Sequence, residues 1–117
     1  MKRLHSYLHV HRRKSFLNQR ELAYLLGKKN ASFISRFELQ KRNPGLEAAF
    51  ACQALFDILP AQLFPDLYSE IEADVVRRAY ELDTRLKSLD DLRSRAKRKL
   101  LHAVLIRARD RIETIRT

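Results

Sequence analysis

The sequence predicts an all-α fold, and three observations support this prediction. Apolar residues recur at helical spacing along most of the chain. Only two glycines and three prolines occur among 117 residues, too few for the many tight turns of an all-β fold. Hydrophobic residues make up 45% of the chain, enough to build a packed core and too many for a chain that is disordered throughout. The length fits one domain, or one small domain with an appendage.

Apolar spacing and capping residues predict the first three helices. The first carries side chains at i, i+4 and i+7. The second is predicted over residues 19–26 and ends at Gly27, a residue that favours helix C-termini. The third is predicted from Ala31 to Phe37 or Glu38, because Asn30 can cap its first turn. The residues that carry these three patterns are Leu4, Leu8, His11, Leu22, Ala23, Leu25, Leu26, Ile34 and Phe37.

A fourth helix is predicted over residues 46–56, and a short fifth one begins at Pro60, since proline is well tolerated in a first helical turn. Cys52 lies in the apolar pattern of the fourth helix, so we expect a buried structural thiol. The phenylalanines recur at helical spacings, which predicts core positions and not base-stacking platforms. The expected stripe of the fourth helix is Leu46, Ala49, Phe50 and Ala54, and the phenylalanines are Phe16, Phe37, Phe50, Phe56 and Phe64.

Residues 66–117 contain no glycine or proline and predict long helix. Apolar residues recur in two stripes at alternating spacings of four and three residues. The second stripe does not continue the spacing of the first. The segment Ser88-Leu89-Asp90-Asp91 between them resembles a capping sequence, so we expect two helices that meet near residue 88. Ser69-Glu70-Ile71-Glu72 gives a similar start signal for the first of the two. The stripes are Val75, Ala79, Leu82, Leu86 and Leu89, then Leu101, Leu105, Ala108, Ile112 and Ile115.

The net charge of +10 is unevenly distributed. Residues 1–65 carry 11 basic and 4 acidic side chains, residues 66–87 carry 4 and 6, and residues 88–117 carry 9 and 4. So basic a chain points to a polyanionic partner or surface. The single cysteine excludes a disulfide framework and suits a reducing cytoplasm. No apolar run approaches about 18 residues and the N-terminus has no apolar core, so we expect neither a membrane span nor a secretory signal.

A motif in three parts resembles a known family. The pattern Gln19-x-x-Leu22-Ala23-x-x-x-x-Gly27 is followed by Ile34-Ser35-Arg36-x-Glu38 and by Pro44-x-Leu46-Glu47. In this order it is similar to the phage-repressor or Xre type of helix-turn-helix domain, over about residues 7–65. The resemblance implies a five-helix lambda-repressor-like domain in residues 1–65 that binds double-stranded DNA. Residues 66–117 would then form a C-terminal extension of two helices that serves dimerisation or the binding of a partner.

The resemblance also implies roles for individual residues. The helix around residues 31–38 would enter the major groove and contact bases through its outward side. Arg36 suits bidentate contact with guanine, or with a phosphate. An ion pair between Arg12 and Glu38 would tie the first helix to the end of the third. The expected base contacts are Ala31, Ser32, Ser35 and Arg36, and the expected phosphate contacts are Gln19, Lys28, Lys29, Lys41, Arg42 and Asn43.

Two positions depart from the family pattern. Six residues separate Gly27 from Ile34 where five are common, so the turn is one residue longer. Asp57 stands where the pattern usually has glycine at the end of the fourth helix, and aspartate tolerates the left-handed conformation better than most residues.

The function predicted from these features is that of a bacterial-type, cytoplasmic, sequence-specific transcriptional regulator, as a homodimer that needs no cofactor. The first alternative is an antitoxin-type regulator whose tail binds a partner protein, and the second is an adaptor that binds protein and not DNA. Catalysis finds no support, since there is no phosphate-binding loop and no nucleophile–base pair. His5, His9 and His11 lack the further ligands of a metal site. The run Arg93, Arg95, Lys97, Arg98 and Lys99 is either a second DNA or RNA contact or a solvated helix face.

Overall fold

A computed structural model describes residues 6–116, and this part of the chain is helical without any strand. The prediction of an all-α chain is confirmed. Leu4 and His5 lie outside the described residues, as does the side chain of Ile115. The described helices are α1 (Leu8–Lys14), α2 (Gln19–Leu25), α3 (Ala31–Glu38), α4 (Leu46–Phe56), α5 (Pro60–Leu63), α6 (Pro65–Leu86) and α7 (Leu92–Arg116).

The chain divides into two compact units, Met1–Ser69 and Glu70–Thr117. The first unit holds α1 to α5 and the opening turn of α6, and the second holds the rest of α6 and α7. None of the helices in residues 6–116 combines the length and the apolar character that crossing a bilayer requires.

One apolar cluster forms the core of the first unit. Ile34 and Phe37 lie on the inner side of α3, and Leu22, Ala23 and Leu26 lie on the inner side of α2, as the spacing predicts. Leu25 was expected beside them but is 47% exposed, because one turn of α2 can point only part of its surface at the core. The buried cluster consists of Leu8, Leu22, Ala23, Leu26, Ile34, Phe37, Ala48, Cys52, Leu63 and Phe64.

The side of α4 that the structure buries is not the side that the sequence predicts. Leu46 and Phe50 are 70% and 56% exposed, Ala54 is also exposed and Ala49 is half-buried, whereas Ala48 and Cys52 are almost fully buried. Apolar residues surround α4 on nearly every side, so their spacing does not define which side faces inward. Small side chains at residues 48 and 52 let this helix approach the core closely. Burial raises the pKa of the Cys52 thiol to about 11.

Three helices end in the same hydrogen-bonded turn with a residue of positive φ. After α1, Phe16 has φ 60°, its N–H donates to the Arg13 carbonyl at 3.0 Å, and the Leu17 N–H donates to the Arg12 carbonyl at 3.2 Å. Gly27 (φ 72°) ends α2 and Gln40 (φ 56°) ends α3 with the same pair of bonds. This turn directs Phe16 away from the core and leaves it 94% exposed, so its predicted core position is wrong.

The end of α4 shows the conformation expected from its sequence. Asp57 occupies the left-handed region with φ 55° and ψ 42°, and its N–H donates to the Gln53 carbonyl at 2.8 Å. An aspartate therefore takes the position where glycine is usual. Phe56 and Phe64 pack on the core as predicted.

Within the second unit, α6 and α7 are joined by residues 87–91, where the sequence predicts a break. The capping residue is Asp91, which accepts hydrogen bonds from the Ser94 N–H at 2.9 Å and from its hydroxyl at 2.8 Å. These bonds lower the pKa of Asp91, the one from the backbone most. The start signal at Ser69 is wrong, because α6 already begins at Pro65, whose fixed φ suits a first helical position.

The buried side of α6 includes only part of the predicted stripe. Ala79 and Leu86 are buried as predicted and Asp83 is buried as well, but Val75 and Leu82 are 46% and 38% exposed. Asp83 accepts a hydrogen bond from Arg98 on α7 at 2.8 Å, and Arg111 of α7 donates to Glu72. Apolar spacing missed Asp83 and Glu72 because both are carboxylates. Leu89, the last residue of that predicted stripe, lies in the connection and is 50% exposed. On α7, Ala108 is buried and Leu101 and Leu105 are half-buried, but Ile112 is 46% exposed.

We predict that Phe16→Gly increases the free energy of unfolding by about 1 kcal/mol. Glycine adopts φ near +60° without the steric cost that a Cβ adds there, and the exposed phenyl ring contributes little packing. Urea denaturation measures the change. Phe16→Ala is the control, since it removes the ring but keeps the Cβ; equal stability of the two variants would contradict this account.

We also predict that Cys52 in the native protein reacts slowly with iodoacetamide at pH 8. A pKa raised from 9.0 to about 11 lowers the reactive thiolate fraction roughly 100-fold, a factor of ten for each pKa unit. Alkylation followed by mass spectrometry should show slow modification in buffer and fast modification in 8 M urea. Comparable rates in the two solutions would show that the thiol is accessible in the folded protein.

Candidate functional site

A buried network joins α1, α2 and α3 in the first unit. Arg12 Nε donates to Glu38 Oε2 at 2.6 Å, and Arg12 Nη2 lies 3.3 Å from Glu38 Oε1. The same Oε1 accepts a hydrogen bond from Gln19 Nε2 at 2.9 Å, and Arg12 Nη1 donates to the Leu17 carbonyl at 3.0 Å. The Arg12 and Glu38 side chains are only 11% and 8% exposed. This network therefore connects the end of α3 to α1 and to the first residue of α2.

The start of α2 is held by its own cap. Asn18 Oδ1 accepts from the Glu21 N–H at 2.7 Å, and the Glu21 carboxylate accepts from the Asn18 N–H at 3.0 Å. Such a reciprocal cap satisfies two N–H groups that a helix start would otherwise leave unbonded. Gln19, expected at a phosphate, follows directly and turns its amide to Glu38 instead of to solvent.

The turn between α2 and α3 has a defined backbone. Gly27 donates to the Tyr24 carbonyl at 3.1 Å, and Lys28 donates to the Ala23 carbonyl at 2.8 Å. Asn30 Oδ1 then accepts from the Ser32 N–H at 3.0 Å and opens α3. The Ser32 hydroxyl also donates to Asn30 Oδ1. In this turn, Gly27 therefore terminates α2 and Asn30 caps the N-terminus of α3.

The outer side of α3 presents the four residues predicted to contact bases. Ser32 and Arg36 are exposed, and Ala31 and Ser35 are half-buried. Arg36 makes no ion pair with any residue of the part that the structure describes. Ile34 and Phe37 on the inner side are fully buried, which fixes the rotation of α3. A helix with this division presents small polar groups and one guanidinium to an external ligand.

Two of the predicted phosphate-binding cations flank one aromatic ring. Lys28 Nζ lies 5.4 Å from the centroid of the Phe33 ring, and the Arg42 guanidinium carbon lies 5.1 Å from it. Both distances suit cation–π attraction, so Phe33 holds the turn before α3 and the loop after it close to each other. Spacing alone gave no sign of this role for Phe33. The remaining predicted phosphate contacts, Lys29, Lys41 and Asn43, are exposed.

The described histidines of α1 are His9 and His11. The His11 ring lies 5.9 Å from the Phe56 ring, centroid to centroid, in a tilted arrangement. Residues 6–116 contain no cluster of three or more histidine, cysteine or carboxylate residues suited to a metal ion.

Comparison of the chain with protein-family models, with curated proteins and with solved structures finds no match. The candidate site is therefore defined by its own geometry. That geometry consists of α3 with its outer polar side, the cationic segments before and after it, and the Glu38 network behind it.

We predict that Glu38→Gln lowers the free energy of unfolding by about 3 kcal/mol, because it leaves the Arg12 guanidinium buried without a compensating charge. Urea denaturation measures the loss. The double variant Arg12→Met/Glu38→Leu should lose less than Glu38→Gln, since it removes both charges and keeps apolar volume. Arg13→Gln, at an exposed position of α1, is the control and should change stability by under about 0.5 kcal/mol. A Glu38→Gln variant as stable as that control would contradict the argument.

Proposed function

We propose that the protein is a sequence-specific DNA-binding transcriptional regulator that contacts the major groove with α3. In this proposal, α1 to α5 form a lambda-repressor-like domain of the phage-repressor or Xre type, and α2 and α3 are its helix-turn-helix. The main support is the outer side of α3, where Arg36 is exposed and uncompensated beside small polar residues. The proposal assigns the protein no catalytic activity and a cytoplasmic location.

The dimensions and the chemistry of α3 suit the major groove. An α-helix with its side chains is about 10–12 Å in diameter, and the major groove of B-form DNA is about 12 Å wide. A guanidinium can donate two parallel hydrogen bonds to the O6 and N7 atoms of guanine. Ser32 and Ser35 add short donors and acceptors, and Ala31 gives close access to a thymine methyl group. Because Ser32 also bonds the Asn30 cap, its contact with a base would extend from a fixed hydroxyl.

The cations around α3 suit the phosphate backbone. Lys28 and Arg42 both lie over the Phe33 ring, and Lys29, Lys41 and Asn43 are exposed. Gln19 begins α2, where the positive end of the helix dipole favours a phosphate. Its amide Nε2 bonds Glu38 and would have to exchange that bond for a phosphate contact. If six phosphates are neutralised, the logarithm of the binding constant should fall with log salt concentration with a slope of about −5.

The proposal includes a homodimer, because domains of this kind bind two half-sites related by a two-fold axis. The second unit supplies apolar surface for such an association. Several of its large apolar side chains are substantially exposed, and exposed apolar surface of this kind can serve protein association. They are Ile71, Val75, Leu82, Leu89 and Leu100, with exposures between 38% and 62%.

The same exposed apolar residues favour one second candidate function, an antitoxin-type regulator whose tail binds a partner protein. The adaptor alternative receives less support, since the outer side of α3 is polar and offers no apolar docking face. Light scattering of the full chain separates the candidates. A stable dimer supports the homodimer, and a monomer that becomes a complex only with a separate protein supports the antitoxin.

We predict that Arg36→Ala reduces affinity for the selected DNA site by roughly 10- to 100-fold, equivalent to about 1–3 kcal/mol, and relaxes the preference at one base position. The site is first found by selecting bound fragments from random DNA with the wild-type chain. Electrophoretic mobility shifts then compare the wild type with the variant. Unchanged affinity and preference would exclude α3 as the recognition helix.

Lys41→Ala is the matched comparison for Arg36→Ala, because it removes one exposed cation from the adjacent loop. Its loss should weaken binding to all sequences about equally and reduce the salt slope by about one. Loss of sequence preference in Lys41→Ala but not in Arg36→Ala would place base recognition in the loop.

A further inference from the structure

Most of α7 is strongly basic. From Leu92 to Arg109 it contains seven lysine and arginine residues and no acidic one. Arg93 and Lys97 are spaced i, i+4, as are Arg95 and Lys99, and like charges at this spacing repel each other. Cations also oppose the helix dipole in a first turn. This pattern works against the local stability of the helix, and such local conflicts are typical of functional sites. A bound anion would relieve the repulsion.

Three of these basic side chains and one histidine border an open groove. Arg95, Arg98, Lys99 and His102 line it together with Ala103 and Ile106, and its volume is about 460 Å³. At about 100° of rotation per residue, these residues fall within roughly one third of the helix circumference. We call this surface the α7 groove. Arg93 and Lys97 lie on the opposite side of the helix.

One carboxylate orients part of the α7 groove without neutralising it. Asp83 Oδ1 accepts from Arg98 Nε at 2.8 Å and lies 3.0 Å from His102 Nε2. The Arg98 hydrogen bond is the main reason why the pKa of Asp83 lies below its ordinary value. A guanidinium has five N–H donors, so Arg98 keeps donors for a second acceptor while Asp83 holds it in place.

The two outermost cations of the α7 groove keep their charge available. Arg95 has its nearest carboxylate, that of Asp90, at 3.9 Å, and both side chains are largely exposed, so this pair contributes little. Lys99 has no ion-pair partner in the part of the chain that the structure describes. The α7 groove therefore presents one charge on Lys99 that is unpaired within the described residues, one charge on Arg95 in a weak exposed pair, and the oriented guanidinium of Arg98.

We propose that the α7 groove binds the phosphate backbone of a nucleic acid, as a second contact separate from α3. Arginine and lysine side chains only donate hydrogen bonds, and phosphate oxygens only accept them, whereas a protein surface presents both kinds of group. Residues 95–106 extend over about 16 Å of helix, long enough to follow several phosphates of one strand at about 3.4 Å of rise each. Ala103 and Ile106 provide an apolar wall for a sugar. The inference rests on the proposed function in part, because it adds a contact to a nucleic-acid-binding protein.

The test compares two double variants of the full-length chain. R95Q/K99Q changes the α7 groove, and R93Q/K97Q changes the opposite side of the same helix turns. Both variants remove two charges and one i, i+4 repulsion, and R95Q/K99Q removes in addition the weak, exposed pair of Arg95 with Asp90. Fluorescence anisotropy measures binding to a labelled duplex of unselected sequence and to a single-stranded RNA of equal length, at several salt concentrations. Circular dichroism verifies that both variants remain helical.

We expect R95Q/K99Q to reduce the magnitude of the salt slope by about 1.8 for the duplex, or by about 1.4 if RNA is the ligand, and R93Q/K97Q to leave it nearly unchanged. Affinity at low salt should fall at least 10-fold for R95Q/K99Q alone. Equal losses in the two variants would assign the effect to overall charge and overturn the inference. Unchanged binding of R95Q/K99Q to both nucleic acids would overturn it as well.

The Arg36→Ala variant distinguishes this inference from the proposed function. If α3 reads the sequence and the α7 groove adds phosphate contacts, Arg36→Ala loses sequence preference but keeps a non-specific affinity that R95Q/K99Q then reduces. If R95Q/K99Q binds the selected site with a wild-type salt slope, the inference about the α7 groove fails while the proposed function stands. If wild-type protein binds neither nucleic acid at low salt, both fail.

Discussion

The Glu38 carboxylate is the point on which the arrangement of the first three helices depends. It bonds Arg12 on α1 and Gln19 at the start of α2, while its own position ends α3. Three helices of seven or eight residues bury few apolar side chains each, so apolar packing alone leaves their rotations and translations weakly restrained. A carboxylate with directional bonds to two other helices supplies that restraint. Its desolvation makes a net gain in stability small, and its main effect is on geometry.

This restraint connects the core to the outer surface of α3. Ile34 and Phe37 fix the rotation of α3 about its axis, and Glu38 fixes where the helix ends. Just beyond that end, the Gln40 turn and the Phe33 ring position the loop that carries Lys41 and Arg42. The proposed base contacts and phosphate contacts thus depend on the same buried residues. A substitution among these buried residues would move both sets of contacts together, whereas a substitution on the outer surface would affect only one set.

Local signals explain which parts of the fold were predictable. Asn30, Gly27 and Pro60 act on the backbone within a few residues of themselves, and the helix limits near them agree with the sequence-based prediction. The α4 phase was not predictable, because an apolar residue stands at almost every position of that helix. Asp83 was missed on α6 because its burial depends on Arg98, 15 residues away. Phe16 was misplaced for a related reason, since its conformation follows from the hydrogen bonds that end α1.

In the candidate site, too, the local features were predictable and the contacts between distant segments were not. The outward side of α3 followed from helical spacing once Ile34 was assigned to the core, and Arg36 is exposed there. The contacts of Gln19 with Glu38 and of Phe33 with two cations join segments that are distant in the sequence, so no spacing rule predicts them. The α7 groove was visible only as a run of basic residues. Its orientation by Asp83, and the separation of Arg95 and Lys99 from Arg93 and Lys97, required the helix packing.

The shortness of α1, α2 and α3 has a consequence for cooperativity. Isolated helices of fewer than about 12 residues are marginal in water even with favourable sequences, so α3 cannot persist as a helix outside its unit. The outer side of α3 therefore exists only in molecules whose whole first unit is folded. The fraction of molecules that present this surface equals the fraction in which the first unit is folded. A ligand that binds the surface must therefore stabilise the unit by mass action. Binding and folding of this unit are one linked equilibrium.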